Sequence, residues 1–355
     1  MTNLQLALAA VFSGALTLAF LPLLIRLSAR FDLYDFPGRH KRHKKPVSFL
    51  GGAGLYGVIW ITIVTASCVS PMFFDELSES IGYIYLGASI IFLTGLFDDL
   101  RPLSAWVKLT AEVAAGVVLY LGGMRVDPIS VPLLGQISIG GWSVLITVAW
   151  VVGLTNAVNL IDGLDGLATG VSLIAATTLC VVGYSYSIGG VMIFALGLIG
   201  FLSVFIFFNR YPARVFLGDS GSLQIGYYFA VISLVVPIKS YTAAALYVPM
   251  LALGVPLLEA TSSVFRRVAS GSNVMRADRR HLFHYLAYAG LSARQVVLTF
   301  CGLSVLFGFA ALAMFLWDRV IVISILALFM VVIFIGFFIF VARSAGVQRK
   351  RPRVR

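Results

Sequence analysis

The sequence predicts an all-α polytopic membrane protein with about eleven transmembrane helices. Three observations support this fold class. Hydrophobic residues make up 60% of the 355 residues and charged residues only 12%, so the chain is far more apolar than a soluble domain. The hydrophobic residues form runs of about 20, the length that crosses a bilayer as a helix. The basic residues gather on one side of these runs.

The apolar runs follow one another through most of the chain. They cover residues 4–25, 50–69, 81–97, 106–121, 142–160, 167–186, 188–208, 223–238, 243–265, 296–317 and 320–341. No basic residue precedes the first run and no small-residue cleavage pattern follows it, so we expect a retained helix and not a signal peptide. Pro249 is expected to bend the helix over 243–265. The segment 122–141 is expected to form a small extracytoplasmic hairpin.

Lysine and arginine residues predict the orientation. An odd number of helices places the termini on opposite sides, and basic residues concentrate in cytoplasmic loops. Of the 26 basic residues, only Arg125, Lys239 and Arg319 fall on the other side. We therefore expect an outside N-terminus, one integral membrane domain over 1–342 and a basic cytoplasmic tail over 343–355. The net charge of +11 comes from basic residues in the predicted cytoplasmic loops and tail. Topology therefore accounts for this charge, and no nucleic-acid partner is expected.

Polar clusters interrupt the apolar sequence, and all fall at predicted cytoplasmic ends of helices. They are the pair Asp98 and Asp99 and the segments 156–166, 218–222 and 276–284. Unpaired charges beside a membrane are expensive and usually functional. Their common side favours convergence on one site.

The segment 156–166 contains Asn156, Asn159, Asp162 and Asp165. On a helix the two Asp residues, three apart, would share a face and repel each other. A metal ion would relieve that repulsion, and the glycine after each Asp would let a backbone or a phosphate approach.

Asp98, Asp99 and Lys108 have two interpretations each. Negative charge at a helix C-terminus opposes the helix dipole, so the acidic pair favours a nearby cation, although it could also be a solvated helix end. Lys108 is a candidate phosphate ligand, or a lysine that extends to the membrane interface.

Asp219 lies in a Gly-Asp-Ser-Gly-Ser segment that is expected to open a helix. There the amides and helix N-terminus could face a phosphate while Asp219 binds a hard divalent cation. The alternative is an ordinary N-cap at Ser220 or Ser222. No Gly-Lys-Ser/Thr follows, so this is not a Walker loop.

The longest predicted cytoplasmic loop carries Arg279, His281 and His284. Arginine and histidine suit oxyanion recognition, whereas zinc is disfavoured because no Cys or third His is nearby. Within the apolar runs, Glu112 and Glu259 are expected to pair with another helix.

Together these motifs resemble the polyprenyl-phosphate N-acetylhexosamine-1-phosphate transferases of glycosyltransferase family 4, which include the WecA and MraY enzymes. The similarity runs in motif order from residue 35 to the last loop and is greater to the WecA side. It implies transfer of a sugar-1-phosphate from a UDP-N-acetylhexosamine, with UDP-GlcNAc favoured, to undecaprenyl phosphate. UMP would be released with Mg²⁺, or alternatively Mn²⁺, as cofactor.

The resemblance also implies a place in the cell and a role for each residue. The enzyme would lie in the bacterial inner membrane, act at its cytoplasmic face and start cell-surface glycan synthesis, with a homodimer left open. Asp98 and Asp99 would be catalytic, and Asn159 and Asp219 would be metal ligands. Substrate binding would fall to Lys108, which holds the lipid phosphate, and to Asn156, Asp162, Asp165, Phe216, Arg279, His281 and His284.

The chain departs from the family pattern at several positions. Phe283 replaces the middle histidine of the family's histidine loop. A histidine at this position is therefore not essential to the chemistry of this protein. Glu259 stands where family members often carry Asp. A rival from another class is a transporter with a cytoplasmic-side ion or proton site. It would require polar residues through the membrane depth and two related halves, and the sequence contains neither. A family member that uses another UDP-sugar is the other alternative.

Overall fold

The computed structural model describes residues 3–37, 45–69, 77–127, 129–131, 135–240, 244–269 and 281–316. Over these ranges the chain is mostly helical, and seven of the described helices are long and apolar enough to cross a membrane. The protein is therefore an all-α polytopic membrane protein, because helices satisfy their own backbone hydrogen bonds in lipid. The predicted helix 320–341, the tail 343–355 and Arg279 lie outside the described residues.

Helices and two small sheets make up the described structure. The strands are β1 (Tyr34–Asp35), β2 (Val47–Ser48), β3 (Ile129–Val131) and β4 (Gly135–Ile137). The helices are α1 (Asn3–Phe31), α2 (Gly51–Val69), α3 (Ile81–Leu100), α4 (Ala105–Leu121), α5 (Trp142–Ile161), α6 (Leu167–Ser185), α7 (Gly189–Asn209), α8 (Gly218–Ser240), α9 (Ala244–Ala252), α10 (Gly254–Ala269), α11 (Leu282–Tyr288) and α12 (Ala293–Leu316).

The predicted segments are largely confirmed, with one correction. The hairpin over 122–141 is present, because β3 and β4 pair antiparallel with Ile129 opposite Ile137. The run 243–265 was expected to be one bent helix, but it forms two helices, α9 and α10, which meet at Leu253. Pro256 falls in the first turn of α10. Backbone N–H groups there have no hydrogen-bond partner within the helix, so the N–H that proline lacks costs nothing.

Helix α8 lies at the centre of the bundle. It packs against α2, α3, α5, α6, α7 and α9, and every residue from 220 to 235 is buried. A helix that is surrounded on all sides belongs in the interior. Its N-terminus, which carries Asp219, is therefore held by the neighbouring helices.

Glycines let α2 and α3 approach the start of α8 closely. A Cβ at Gly52 would overlap the backbone at Gly221, and a Cβ at Gly95 would overlap the backbone of Ser220. The Gly52 N–H donates to Leu217 O (2.9 Å), and Gln224 Nε2 donates to Gly52 O (3.1 Å). The small residues thus fix the position of the α8 N-terminus.

We expect Gly52→Ala to destabilise the protein, because overpacking a core costs about 1–3 kcal/mol and sometimes more. The melting temperature in detergent should fall. Gly153→Ala is the matched control, since a Cβ there meets nothing within 4 Å and alanine favours the helix. Equal melting temperatures for the two variants would contradict this account of the α2–α8 contact.

Candidate active site

Asp99 caps the N-terminus of α8. Its Oδ1 accepts from the Asp219 N–H (2.7 Å) and its Oδ2 accepts from the Ser220 N–H (3.0 Å). A carboxylate at a helix N-terminus satisfies free amides and complements the helix dipole. Gly218 just before it has φ +68°. The amides that an ordinary serine cap would satisfy are therefore bound by Asp99, and this contact orients Asp219.

Lys108 joins Asp98 to Asp219. Its Nζ lies 3.1 Å from Asp98 Oδ2 and 2.8 Å from Asp219 Oδ2. The other oxygen of Asp98 accepts from the Leu103 N–H (2.7 Å). Lys108 therefore does not simply extend to the membrane interface, and the acidic pair is not a free solvated helix end. The ammonium group is partly exposed between two carboxylates, so an incoming anion can reach it.

The α5–α6 turn, residues 162–166, lies between two helices, as the limits of the apolar runs predicted. Helix α5 ends at Ile161, so Asp162 and Asp165 lie in the turn and share no helical face. Asp165 Oδ2 accepts from the Ala213 N–H (3.0 Å). Gly166 has φ +82°, a conformation that other residues rarely adopt. Glycine at this position allows the chain to turn directly into α6.

Carboxylates from three parts of the fold influence one another. Burial and the charges of Asp219, Asp99 and Asp165 raise the pKa of Asp162 to about 8. Like charges this close favour the neutral acid unless a cation is present. A bound cation would favour the ionised carboxylates, so this oxygen-rich region is suited to one.

The donor set fits a hard divalent cation with few protein ligands. Within the described part of the chain, no group of three or more His, Cys, Asp or Glu side chains could hold a metal ion. Mg²⁺ usually keeps several waters and is bound by one or two carboxylates together with substrate phosphates. Asp219 and Asn159 offer oxygen donors of this kind. The assignment of these two residues as ligands stays a prediction.

Asn156 is held by Glu112, so the expectation that Glu112 pairs with another helix is confirmed. Glu112 is buried in α4, and its Oε2 accepts from Asn156 Nδ2 on α5. The same Nδ2 donates to Val152 O (2.9 Å). Both amide hydrogens are then used, which leaves the carbonyl oxygen of Asn156 as an acceptor.

The start of α11 lies against the α5–α6 turn. Phe283 is buried, and its ring occupies the space that a Cβ at Gly163 would take. The His281 ring stacks on Phe283 with centroids 5.2 Å apart, and the centroid of the His284 ring lies 6.0 Å from that of His281. The structure thus brings the two histidines close to the acidic turn, as the sequence predicted.

Phe216 is anchored just before α8. Its N–H donates to Ser48 O (2.8 Å), and its carbonyl accepts from the Gly51 N–H (3.1 Å). The side chain is partly exposed. The backbone at this position is therefore fixed by the β2–α2 connection, close to Asp219 in sequence.

Comparison with known proteins decides the family. The model of glycosyl transferase family 4 matches residues 81–237. A probable undecaprenyl-phosphate N-acetylglucosaminyl 1-phosphate transferase of Bacillus subtilis (strain 168) is 33% identical over 336 residues, which cover 93% of this chain and 91% of the relative. The chain belongs to glycosyl transferase family 4. The resemblance that the motifs indicated is confirmed.

Other relatives carry related names. A decaprenyl-phosphate N-acetylglucosaminephosphotransferase of Mycolicibacterium smegmatis is 31% identical over 299 residues, 77% of this chain and 73% of the relative. A phospho-N-acetylmuramoyl-pentapeptide-transferase of Listeria monocytogenes serotype 4b is 28% identical over 309 residues, 81% of this chain and 90% of the relative. The family 4 match contains Asp98, Lys108, Asn159 and Asp219, so it covers the centre of the site.

Asn209 is a site-supporting residue that the sequence did not single out. Its side chain is buried, and its Oδ1 accepts from the Gly166 N–H (3.0 Å) and from Thr169 Oγ1 (2.7 Å). Its Nδ2 donates to Val215 O (3.0 Å). It thereby ties the α5–α6 turn to the segment before α8. A polar residue at the end of an apolar run looks like a solvated helix end, so the sequence held no signal for this role.

We expect Asn209→Leu to be strongly destabilising in this family 4 protein. Leucine fills similar space but leaves the groups of Gly166, Thr169 and Val215 unpaired, and each unpaired buried group costs about 1–3 kcal/mol. Melting temperature in detergent is the measurement. Thr169→Val removes one of the three bonds and should have a clearly smaller effect. An equal effect of both variants would contradict the bridging role.

Proposed function

We propose that this chain transfers N-acetylglucosamine-1-phosphate from UDP-GlcNAc to undecaprenyl phosphate and releases UMP. The observation that carries the proposal is the Asp98–Lys108–Asp219 cluster at the N-terminus of α8. It offers a cation for an anionic acceptor next to carboxylates that suit a metal-bound donor. The name of the Bacillus subtilis relative supports the sugar and the lipid carrier. The relatives compared above are transferases, so a transporter is not favoured.

The reaction is a phosphoryl transfer with a lipid phosphate as acceptor. An oxygen of undecaprenyl phosphate forms a bond to the phosphorus that carries the sugar. The bond from that phosphorus to the UMP oxygen breaks, and UMP leaves with the electron pair. A phosphate monoester with a second pKa of about 6 is largely dianionic at neutral pH, so the acceptor is already a nucleophile. Lys108 would hold this phosphate and Asp98 would position it.

The contacts of Asp98 favour single displacement over an aspartyl-phosphate intermediate. Its two oxygens accept hydrogen bonds from Leu103 and Lys108, and these bonds reduce the nucleophilicity of the carboxylate. A donor with chiral phosphorus separates the two routes. Single displacement gives inversion at phosphorus, and retention would overturn this preference.

Asn159 and Asp219 would hold Mg²⁺, or Mn²⁺ as the alternative. When bound, the metal neutralises charge on the donor diphosphate and on the departing UMP. The nucleotide-sugar would contact Asn156, Asp162, Asp165, Phe216, Arg279, His281 and His284. In this arrangement Asp99 orients Asp219 through its backbone amide, so Asp99 supports the catalytic group.

The site would open to the cytoplasm from a bacterial inner membrane. Asp98 lies at the end of α3, Asp162 just after α5 and Asp219 at the start of α8, so alternating helix directions are compatible with one membrane face. The basic residues support the cytoplasmic assignment, with the N-terminus outside and about eleven helices. A homodimer, a single domain over 1–342 and a basic tail over 343–355 remain part of the proposal.

UMP release by the purified protein tests the function. The protein in detergent receives Mg²⁺, undecaprenyl phosphate and one of several UDP-N-acetylhexosamines. UMP is expected with UDP-GlcNAc, and omission of the lipid acceptor should abolish it. If no UDP-sugar yields UMP, the enzyme proposal fails. If only another UDP-sugar does, the sugar assignment is wrong and the reaction class stands.

A further inference from the structure

Glu259 is a buried acid outside the groups used above. It lies in α10, and its side chain is 0% exposed. A buried carboxylate requires compensating partners. Its Oε1 lies 2.9 Å from His281 Nδ1, and its Oε2 accepts from the Leu282 N–H (3.0 Å). Arg266 Nη2 lies 3.8 Å from Oε1. The expectation that Glu259 pairs with another helix is confirmed, and its nearest partners belong to the start of α11.

These contacts fix both the helix and the imidazole ring. His281 occupies the N-cap position of α11, but its own side chain makes no cap hydrogen bond. Glu259 takes that role for Leu282 from a different helix. The same carboxylate faces His281 Nδ1, so Nδ1–H donates to it. The hydrogen bond made by one ring nitrogen of a histidine determines the tautomer and the orientation in which the other nitrogen meets a ligand.

The ring held by Glu259 is connected to the acidic turn. The rings of His281 and Phe283 are almost parallel, 7° apart, and Phe283 packs against Gly163 between Asp162 and Asp165. The ring is thus confined by a carboxylate at Nδ1 and by an aromatic face beside it. Only Nε2 is left to meet a ligand.

On the basis of the proposed function, we infer that Glu259 is a positioning residue that acts through His281. Its carboxylate holds the imidazole so that Nε2 is presented to the anionic oxygens of the nucleotide-sugar. Glu259 itself touches no substrate. The nucleotide-sugar, and not the lipid phosphate, is the substrate whose use should depend on this contact, because Lys108 and Asp98 hold the lipid side.

A double-mutant cycle tests the inference. The variants are Glu259→Gln, His281→Ala and the double variant, and UMP release gives kcat and KM for each substrate. Glu259→Gln should lower kcat/KM for UDP-GlcNAc about 10–100-fold, by analogy with the loss that follows removal of the partner that orients a metal-bound histidine. The KM for undecaprenyl phosphate should not change. In the His281→Ala background the same change should have an effect of less than about threefold, since the group it orients is absent.

Two further variants separate positioning from folding. Glu259→Asp keeps the carboxylate and should recover much of the activity that Glu259→Gln loses. If Glu259→Gln does not fold, Glu259→Asp is taken through the same cycle, and the smaller loss that it causes should disappear in the His281→Ala background. Ser263→Ala is the control in α10, because its buried hydroxyl has no hydrogen-bond partner among the described residues. Its kinetics should match the wild type.

The outcomes are distinct. The positioning role would be overturned if Glu259→Gln lowered kcat/KM for UDP-GlcNAc as much in the His281→Ala background as in the wild type. It would also be overturned if Glu259→Gln changed only the KM for undecaprenyl phosphate. If the wild type releases UMP and Glu259→Gln has the same kinetics as the wild type, this inference is overturned and the proposed function stands. A wild-type protein that releases no UMP would overturn the proposed function and this inference with it.

Discussion

Asp219→Asn is expected to lower UMP release about a thousandfold. Asp219 stands in the first turn of α8, where Asp99 holds its amide and Lys108 its carboxylate. Asparagine preserves the volume but removes the charge that would bind a divalent cation. Loss of charge stabilisation by a metal is worth several kcal/mol, and each ~1.4 kcal/mol is tenfold in rate. Initial rates of UMP release measured against Mg²⁺ concentration check the prediction.

The control for this prediction is Asp127→Asn. Asp127 lies just before β3, and its Oδ1 accepts from Ser138 Oγ and the Ile139 N–H, both at 3.1 Å. Asparagine retains that acceptor, so turnover and Mg²⁺ dependence should stay at wild-type values. A chelator should abolish wild-type activity and added Mg²⁺ should restore it. An Asp219→Asn protein with unchanged rate and Mg²⁺ dependence would refute the metal assignment.

The sequence indicated which polar residues would lie together better than it indicated the contacts that each one makes. Charges beside long apolar runs are few, so position alone made Asp98, Asp99, Lys108 and Asp219 candidates. Asp98 and Asp99 nevertheless receive different partners, because neighbouring residues on a helix point about 100° apart. One faces Lys108 of α4 and the other the amides of α8. Only the packing of three helices determines this division.

Other features depended on long-range contacts that no local pattern encodes. The end of α5 at Ile161 separates Asp162 and Asp165 from any helical face, although spacing alone allowed a helix. Glu259 was recognisable as an acid within an apolar run, whereas Asn209 was not singled out, and the partners of both residues are distant in sequence. Hydrophobic runs therefore predicted the helices, while buried hydrogen bonds determined how the loops between them form the site.

Lys108→Met is expected to reduce turnover about a hundredfold and to raise the KM for undecaprenyl phosphate. Methionine fills the same space without the ammonium group, so Asp98 and Asp219 lose the cation between them. If Lys108 holds the acceptor phosphate as proposed, that phosphate would also lose its positive partner, and removal of one preorganised donor to a reacting oxyanion costs about 10²–10³ in rate. Kinetics with varied lipid at saturating UDP-GlcNAc measure both effects.

The substrate whose KM changes decides whether Lys108 serves the acceptor. If Lys108 holds the lipid phosphate, Lys108→Met leaves the KM for UDP-GlcNAc near the wild-type value. Lys108→Arg keeps the charge but replaces a compact ammonium with a planar fork, so it should retain more activity than Lys108→Met while remaining below the wild type. A rise in the KM for UDP-GlcNAc alone would instead place Lys108 on the donor side. Asp98, whose Oδ2 lies 3.1 Å from Lys108 Nζ, would then have to be reassigned as well.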